Sequence, residues 1–109
     1  MQSASDKKLK IQMGIIKRMV KEVSGYEKEA VENEARIQKM KDDGKDEYDI
    51  KKQEEVLQES YMMIPDSKNR LEAAVEKFTE VLNELKEDPD LDQTMLKEAN
   101  DLHKHVTAS

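Results

Sequence analysis

The chain has 109 residues, 40% of them charged and 36% apolar, and a formal net charge of −6. This length predicts a single domain over residues 1–109, and so few apolar residues predict helices that each bury one stripe. The negative charge argues against nucleic-acid binding, and the lack of a long apolar run argues against a membrane partner. Without cysteine, the chain has neither a disulfide framework nor a zinc ribbon, and we expect it in the cytoplasm.

The first predicted helix covers about residues 5–42. Apolar positions recur in it at seven-residue spacing, at Leu9, Ile16, Val23, Ala30 and Ile37. This spacing is typical of a helix that keeps one edge against a partner. The apolar stripe is broad before residue 26 and narrow after it. The first half is also basic, with five Lys, one Arg and no acidic residue between residues 7 and 21, which we interpret as a solvated flank.

The second predicted helix covers about residues 47–87. Gly44 is placed to end the first helix, and Asp46 or Asp49 to cap the second. A seam of apolar residues recurs without interruption at Ile50, Leu57, Ile64, Leu71, Phe78 and Leu85. Here the stripe is narrow early and broad late, so an antiparallel pairing with the first helix brings broad half against broad half.

Pro65 lies inside the second predicted helix. An interior proline costs about 3 kcal/mol because it removes a backbone hydrogen bond and crowds the preceding turn. The seven-residue spacing nevertheless keeps its phase from Ile64 to Leu71, and a break into two helices would reset that phase. We therefore predict one helix that is bent at Pro65.

The third predicted helix covers about residues 90–106. Pro89 ends the second helix, and Asp90 followed by Gln93 predicts a capping box. Its stripe can cover the broad end of the first two helices. The predicted fold is therefore all-α, an elongated antiparallel three-helix bundle with three layers at one end and two at the other. His103 and His105 are expected on a frayed last turn, where positive charge suits the helix dipole.

The outward face of the second helix is the candidate binding surface. Met62 points away from the seam, and Met63 lies well off it. Two interpretations stay open: the methionines cover gaps along the first helix, or they form a partner-binding patch, for which flexible side chains are suited. Tyr61 can reach the first helix and is expected to be structural. The candidate partner-binding residues are Lys17, Arg18, Tyr48, Lys51, Lys52, Glu55, Glu59, Met62, Met63, Asp66 and Arg70.

Catalysis is not expected from this sequence. It contains no glycine-rich phosphate loop, no nucleophile elbow and no cysteine nucleophile. A thin helical bundle also lacks the concave pocket that chemistry requires. We predict no enzyme activity, no cofactor, no metal and no small-molecule substrate.

Several segments resemble one known family. They are residues 48–66, including Tyr-Asp-Ile-Lys-Lys-Gln-Glu and Met-Met-Ile-Pro-Asp, with residues 16–22, 26–30 and 70–74. In order and spacing they resemble tubulin-binding cofactor A over residues 9–85, except that the family usually has a basic residue in place of Tyr61. The resemblance implies a cytoplasmic, cytoskeleton-associated chaperone that holds free β-tubulin after the chaperonin and before heterodimer assembly, without nucleotide hydrolysis.

Other functions are open on the residues alone. The seam of the second helix could face another chain, as in an oligomerising scaffold or a prefoldin-like chaperone subunit. The basic start of the first helix could also lie on a lipid surface, although its apolar stripe is already needed by the second helix.

Overall fold

The computed structural model describes residues 2–108, and these form three α-helices and no strand. The helices are α1 (Ala4–Asp42), α2 (Glu47–Leu85) and α3 (Gln93–Thr107). The predicted all-α class is therefore confirmed. Helices α1 and α2 have 39 residues each, so each is about 58 Å long at 1.5 Å per residue.

Local interactions fix the start of α1 and the turn that follows the end of this helix. The Ser3 hydroxyl accepts the Asp6 N–H at 3.0 Å, and the Asp6 carboxylate accepts the Ser3 N–H at 3.2 Å. This reciprocal pair satisfies amides that the first turn of a helix leaves free. After α1, Gly44 has a φ of 68°, a left-handed conformation that glycine adopts without steric cost. Gly44 ends α1, as predicted.

Helix α2 continues through Pro65, which confirms the prediction of one helix. Pro65 is exposed, so its ring points away from the neighbouring helix, and the missing N–H affects only the Tyr61 carbonyl. Two residues later, the buried Ser67 donates its hydroxyl to the Ile64 carbonyl at 2.9 Å. The helix ends at Leu85, two residues before the predicted end, and the Asp88 N–H then bonds to the Leu85 carbonyl at 2.9 Å.

The predicted start of α3 at Asp90 is wrong. The N-cap is Asp92, whose carboxylate accepts the N–H groups of Thr94 and Met95 at 2.8 and 3.2 Å. Asp90 is held differently, because its N–H bonds to the Asp88 carboxylate at 2.9 Å. Residues 88–91 thus form a turn that places Leu91 in the core before the helix begins.

The described residues form two compact units. The terminal unit contains the residues up to Val20 and those from Arg70 onward, and the middle unit is Lys21–Asn69. The terminal unit therefore has parts of all three helices, whereas the middle unit has only the end of α1, the turn and the start of α2. This agrees with the predicted change from three layers to two.

An apolar core fills the terminal unit. Its fully or almost fully buried members are Leu9, Met13, Ile16, Phe78, Val81, Leu82, Leu85, Leu91 and Ala99. His103 of α3 packs its ring edge-on against Phe78, with 6.0 Å between the centroids, and its Nε2 lies 2.9 Å from the Thr79 hydroxyl. The expectation that His103 lies on a frayed turn is therefore wrong, since its neighbours anchor it.

In the middle unit, the two helical segments run antiparallel. Lys41 pairs with Glu54 at 3.8 Å near the turn, and Glu27 pairs with Lys68 at 3.9 Å farther from it. Between the helices lie Val23, Ala30 and Ile37, together with the buried polar residues Asn33, Ser60 and Ser67. All five predicted seam positions of α1 are buried, but on α2 only Phe78 and Leu85 are, and the four earlier ones are half-buried.

Candidate functional site

An exposed stripe follows the outer side of α2 in the middle unit. Its members lie three or four residues apart, so they share one face of the helix. We call this stripe the outer face of α2, and it consists of Tyr48, Lys52, Glu55, Glu59, Met62 and Asp66, all exposed. The face combines both charge signs with large side chains of low polarity.

Tyr48 and Lys52 form one end of the outer face. The Lys52 ammonium lies 4.9 Å from the centre of the Tyr48 ring, a cation–π contact worth about 0.5–1 kcal/mol at an exposed site. The contact joins residues that are one helical turn apart on the same face. Lys51 is exposed beside them and borders a groove with Lys41, Glu47, Ile50 and Glu54.

The two methionines of α2 have different environments. Met62 is 71% exposed, whereas Met63 is half-buried. Met63 therefore fits the gap-covering interpretation, and Met62 has no such role. Val56 is 40% exposed, because the middle unit has no third helix to cover it. Val56 thus adds apolar surface beside the outer face.

Tyr61 is a structural link between the two helices of the middle unit. Its hydroxyl donates a hydrogen bond to the Glu34 carboxylate of α1. This hydrogen bond raises the pKa of Tyr61, because it stabilises the protonated phenol, and the Glu34 charge adds to the shift by disfavouring the phenolate. This contact agrees with the structural role expected for Tyr61.

The remaining candidate residues lie in the terminal unit. Lys17 and Arg18 are exposed on α1, and Arg70 is exposed on α2. The structure therefore groups Tyr48, Lys51, Lys52, Glu55, Glu59, Met62, Met63 and Asp66 in one unit, and it places these three basic residues in the other. Asp66 and Arg70 are each already engaged in a polar or electrostatic interaction.

Within residues 2–108, no group of three or more His, Cys, Asp or Glu side chains is arranged to hold a metal ion. None of the described helices is both long enough and apolar enough to cross a membrane. Over these residues, the outer face of α2 holds six of the eleven sequence candidates.

Comparison with known proteins identifies the family. The model of the family described as tubulin binding cofactor A matches residues 4–102. The chain belongs to this family. A tubulin-specific chaperone A from Bos taurus is 49% identical over 87 residues, which cover 80% of this chain and 78% of the relative.

Solved structures of the cofactor A family agree with the fold. The crystal structure of tubulin folding cofactor A from Arabidopsis thaliana matches with a TM-score of 0.83 and 40% identity, over 97% of this chain and 98% of that one. The human tubulin chaperone cofactor A matches with a TM-score of 0.69 and 42% identity, over 94% and 97% of the two chains. The family match includes every candidate residue between Lys17 and Arg70.

Proposed function

We propose that this member of the tubulin binding cofactor A family captures free β-tubulin and holds it until the heterodimer is assembled. Family membership supports tubulin as the partner, and the names of the relatives describe tubulin chaperones. The observation that supports the site is Met62, a large apolar side chain that is 71% exposed between the charged residues Glu59 and Asp66. Together with the exposed Val56, Met62 gives this face apolar surface that a partner can cover.

The proposed mechanism is passive. A subunit that awaits its partner exposes a surface that would otherwise aggregate, and the outer face of α2 covers that surface reversibly. The apolar side chains Met62 and Val56 supply contact area, and the surrounding charges fix the orientation. We assign the encounter to the exposed bases Lys17, Arg18, Lys51, Lys52 and Arg70, which attract an acidic partner over a distance. No bond is made or broken in this cycle.

We place this activity in the cytoplasm, in association with the cytoskeleton, because the proposed ligand is a cytoskeletal subunit. The scaffold or prefoldin-like alternative is less well supported. That alternative requires the α2 seam to face another chain. The seam residues Phe78 and Leu85 are already buried within this chain.

The test compares two single substitutions of exposed apolar residues in the middle unit. Met62→Asp places a charge in the proposed contact, and we expect at least a tenfold loss of β-tubulin capture, since a buried unpaired charge costs more than about 1.4 kcal/mol. Val31→Asp is the matched control, because Val31 is 64% exposed but lies on α1. Met63 is unsuitable as the first test, because its half-buried side chain also supports the fold.

The measurement is a pull-down from cytosol, with separate detection of β-tubulin and α-tubulin. We expect the wild-type chain and Val31→Asp to retain β-tubulin without α-tubulin, and Met62→Asp to lose it with unchanged helicity. Equal capture by both variants would place the contact elsewhere on the molecule. Retention of both subunits in equal amounts would contradict the proposal that the free subunit is the ligand.

A further inference from the structure

The first half of α1 carries a basic surface of which the proposed function uses only Lys17 and Arg18, for long-range attraction. Lys7, Lys10, Lys17 and Arg18 are all exposed. At about 100° per residue, all four lie within about 60° of Gly14 around the helix. They therefore share one face, on the side of α1 opposite the buried Leu9.

The charges of this surface have no ion-pair partner among the described residues. Lys7, Lys10, Lys17 and Arg18 form no ion pair with any carboxylate of residues 2–108. Lys8 differs, because it points toward α2 and pairs with Glu84 at 3.2 Å. Four like charges on three helical turns repel one another, so a ligand that supplies negative charge relieves that repulsion.

The middle of this surface is open and partly apolar. A depression there is lined by Gln2, Lys7, Lys10, Ile11, Gly14 and Arg18. Ile11 is 61% exposed, and a Cβ placed on Gly14 would meet nothing within 4 Å. The helix backbone is thus accessible at Gly14, with an apolar side chain beside it and cations on each side.

The length and width of this surface indicate the kind of ligand that fits it. From Lys7 to Arg18 the surface is about 17 Å long, which matches about five residues of an extended peptide. Its width is limited to one helix, because Glu84 lies on the α2 side and Glu98 lies beside Lys10 and Lys17 on the α3 side. A lipid surface or a nucleic acid would bring phosphates against these carboxylates.

We propose that this surface, defined by Lys7, Lys10, Ile11, Gly14, Lys17 and Arg18, binds an acidic peptide segment that contains an apolar residue. Carboxylates along the peptide pair with the four cations, and the apolar side chain packs against Ile11 in the depression at Gly14. The proposal concerns the terminal unit and does not depend on which tubulin subunit is held by the outer face of α2.

The experiment measures the fluorescence anisotropy of a labelled glutamate-rich peptide with one central leucine, mixed with the full chain. We expect binding that weakens at least tenfold as salt rises from about 50 to 200 mM, because exposed charges are screened. Lys10→Glu with Arg18→Glu is expected to reduce affinity at least tenfold. Ile11→Gln is expected to reduce affinity for the leucine peptide and to leave that for an all-glutamate peptide unchanged.

The matched control is Lys39→Glu with Lys45→Glu, which changes the net charge equally at exposed lysines of the middle unit. If both double variants lose the same amount of peptide affinity, the loss comes from the change in net charge and the proposal is overturned. Tighter binding to a single-stranded RNA or to phosphatidylserine vesicles than to the peptide would also overturn it. Chemical-shift changes in the wild-type chain, confined to amides between Lys7 and Arg18, would locate the site without relying on a variant.

This experiment is separable from the test of tubulin capture. Met62 lies on α2 in the middle unit. We therefore expect the Met62→Asp variant to bind the peptide with the same affinity as the wild-type chain. If the wild-type chain does not bind the peptide, the proposed site on α1 is wrong. That result would not contradict the proposal that α2 captures tubulin.

Discussion

The two units are built from the same pair of helices but fill the space between them differently. In the terminal unit, the positions three residues after the α2 seam are apolar, as at Ala74 and Val81. In the middle unit, the equivalent positions are Gln53, Ser60 and Ser67, and these polar side chains face inward. The same seven-residue spacing therefore specifies helix pairing in both units, whereas the residue types between the seam positions set how much apolar area is buried.

Buried polar atoms sharpen the contrast. The Asn33 side-chain nitrogen and the Gln53 side-chain oxygen are buried without a hydrogen-bond partner in the described residues. An unpaired buried polar group costs about 1–3 kcal/mol. The middle unit therefore combines the smaller apolar core with a larger polar penalty, and we expect its amides to exchange with solvent before those of the terminal unit.

The largest expected loss of stability comes from a substitution in the core of the terminal unit. Phe78 is fully buried, and Phe78→Ala is expected to lower the free energy of unfolding by about 3–5 kcal/mol. Leu57 occupies the same seam in the middle unit but is half-buried, so Leu57→Ala is expected to cost only about 1–2 kcal/mol. Urea denaturation measures both. Equal losses would show that the two units are packed alike, contrary to this comparison.

A smaller change, this time a gain in stability, is expected from a substitution in the middle unit. Asn33→Leu replaces the unpaired buried donor by an apolar side chain and should raise the free energy of unfolding by about 1 kcal/mol. The lost Asn33–Arg36 hydrogen bond is long, at 3.4 Å, and the exposed Arg36 regains water. Asn69→Leu, at an exposed position of the same unit, is the control and should change stability by less than about 0.5 kcal/mol. A destabilised Asn33→Leu would mean that the amide is essential to the packing.

The smallest expected effect depends on pH and concerns the terminal unit. The Asp92 N–H, 2.8 Å from the Asp6 carboxylate, lowers the pKa of Asp6 below its usual value, and the Ser3 N–H adds to this. Because the folded pKa is lowered, the carboxylate stabilises the fold above its unfolded pKa of about 3.9 and loses this contribution as the pH falls through the folded value.

Asp6→Asn tests this directly by removing the titrating group. We expect the variant to melt at a lower temperature than the wild-type chain near pH 7, and the difference to shrink below about pH 4. Asp101→Asn, at an exposed position of α3, is the control. A constant difference between wild type and Asp6→Asn at every pH would show that the charge of Asp6 has no part in the effect.

The sequence was sufficient for features that depend on spacing. The repeat from Leu9 to Ile37 predicted the buried edge of α1, and the phase kept between Ile64 and Leu71 predicted that α2 continues through Pro65. Both are periodic signals that many residues carry together, so one unfavourable residue does not cancel them. Gly44 was predictable because its turn needs a positive φ, which few residues tolerate.

Features that depend on a single tertiary contact were not predictable. The N-cap of α3 is Asp92 and not Asp90, because the carboxylate of Asp88 holds the Asp90 amide. His103 is anchored by Phe78 and Thr79, which lie far from it in sequence. Met62 and Met63 both lie off the seam, so the sequence left open whether either is covered, and the structure shows that Met63 is half-buried. That residues 1–109 act as one domain and that the outer face of α2 binds a partner stay predictions.

The terminal unit joins the two ends of the chain, and this has a consequence for the order of folding. Its link between Asp6 and Asp92 closes a loop of 86 residues, whereas the Lys41–Glu54 pair of the middle unit closes a much shorter one. Short loops close with less entropic cost and therefore sooner. On the ribosome, the hairpin around Gly44 can form while the C-terminal residues are still being synthesised, and the first half of α1 must wait for α3. We therefore expect the less stable unit to form first.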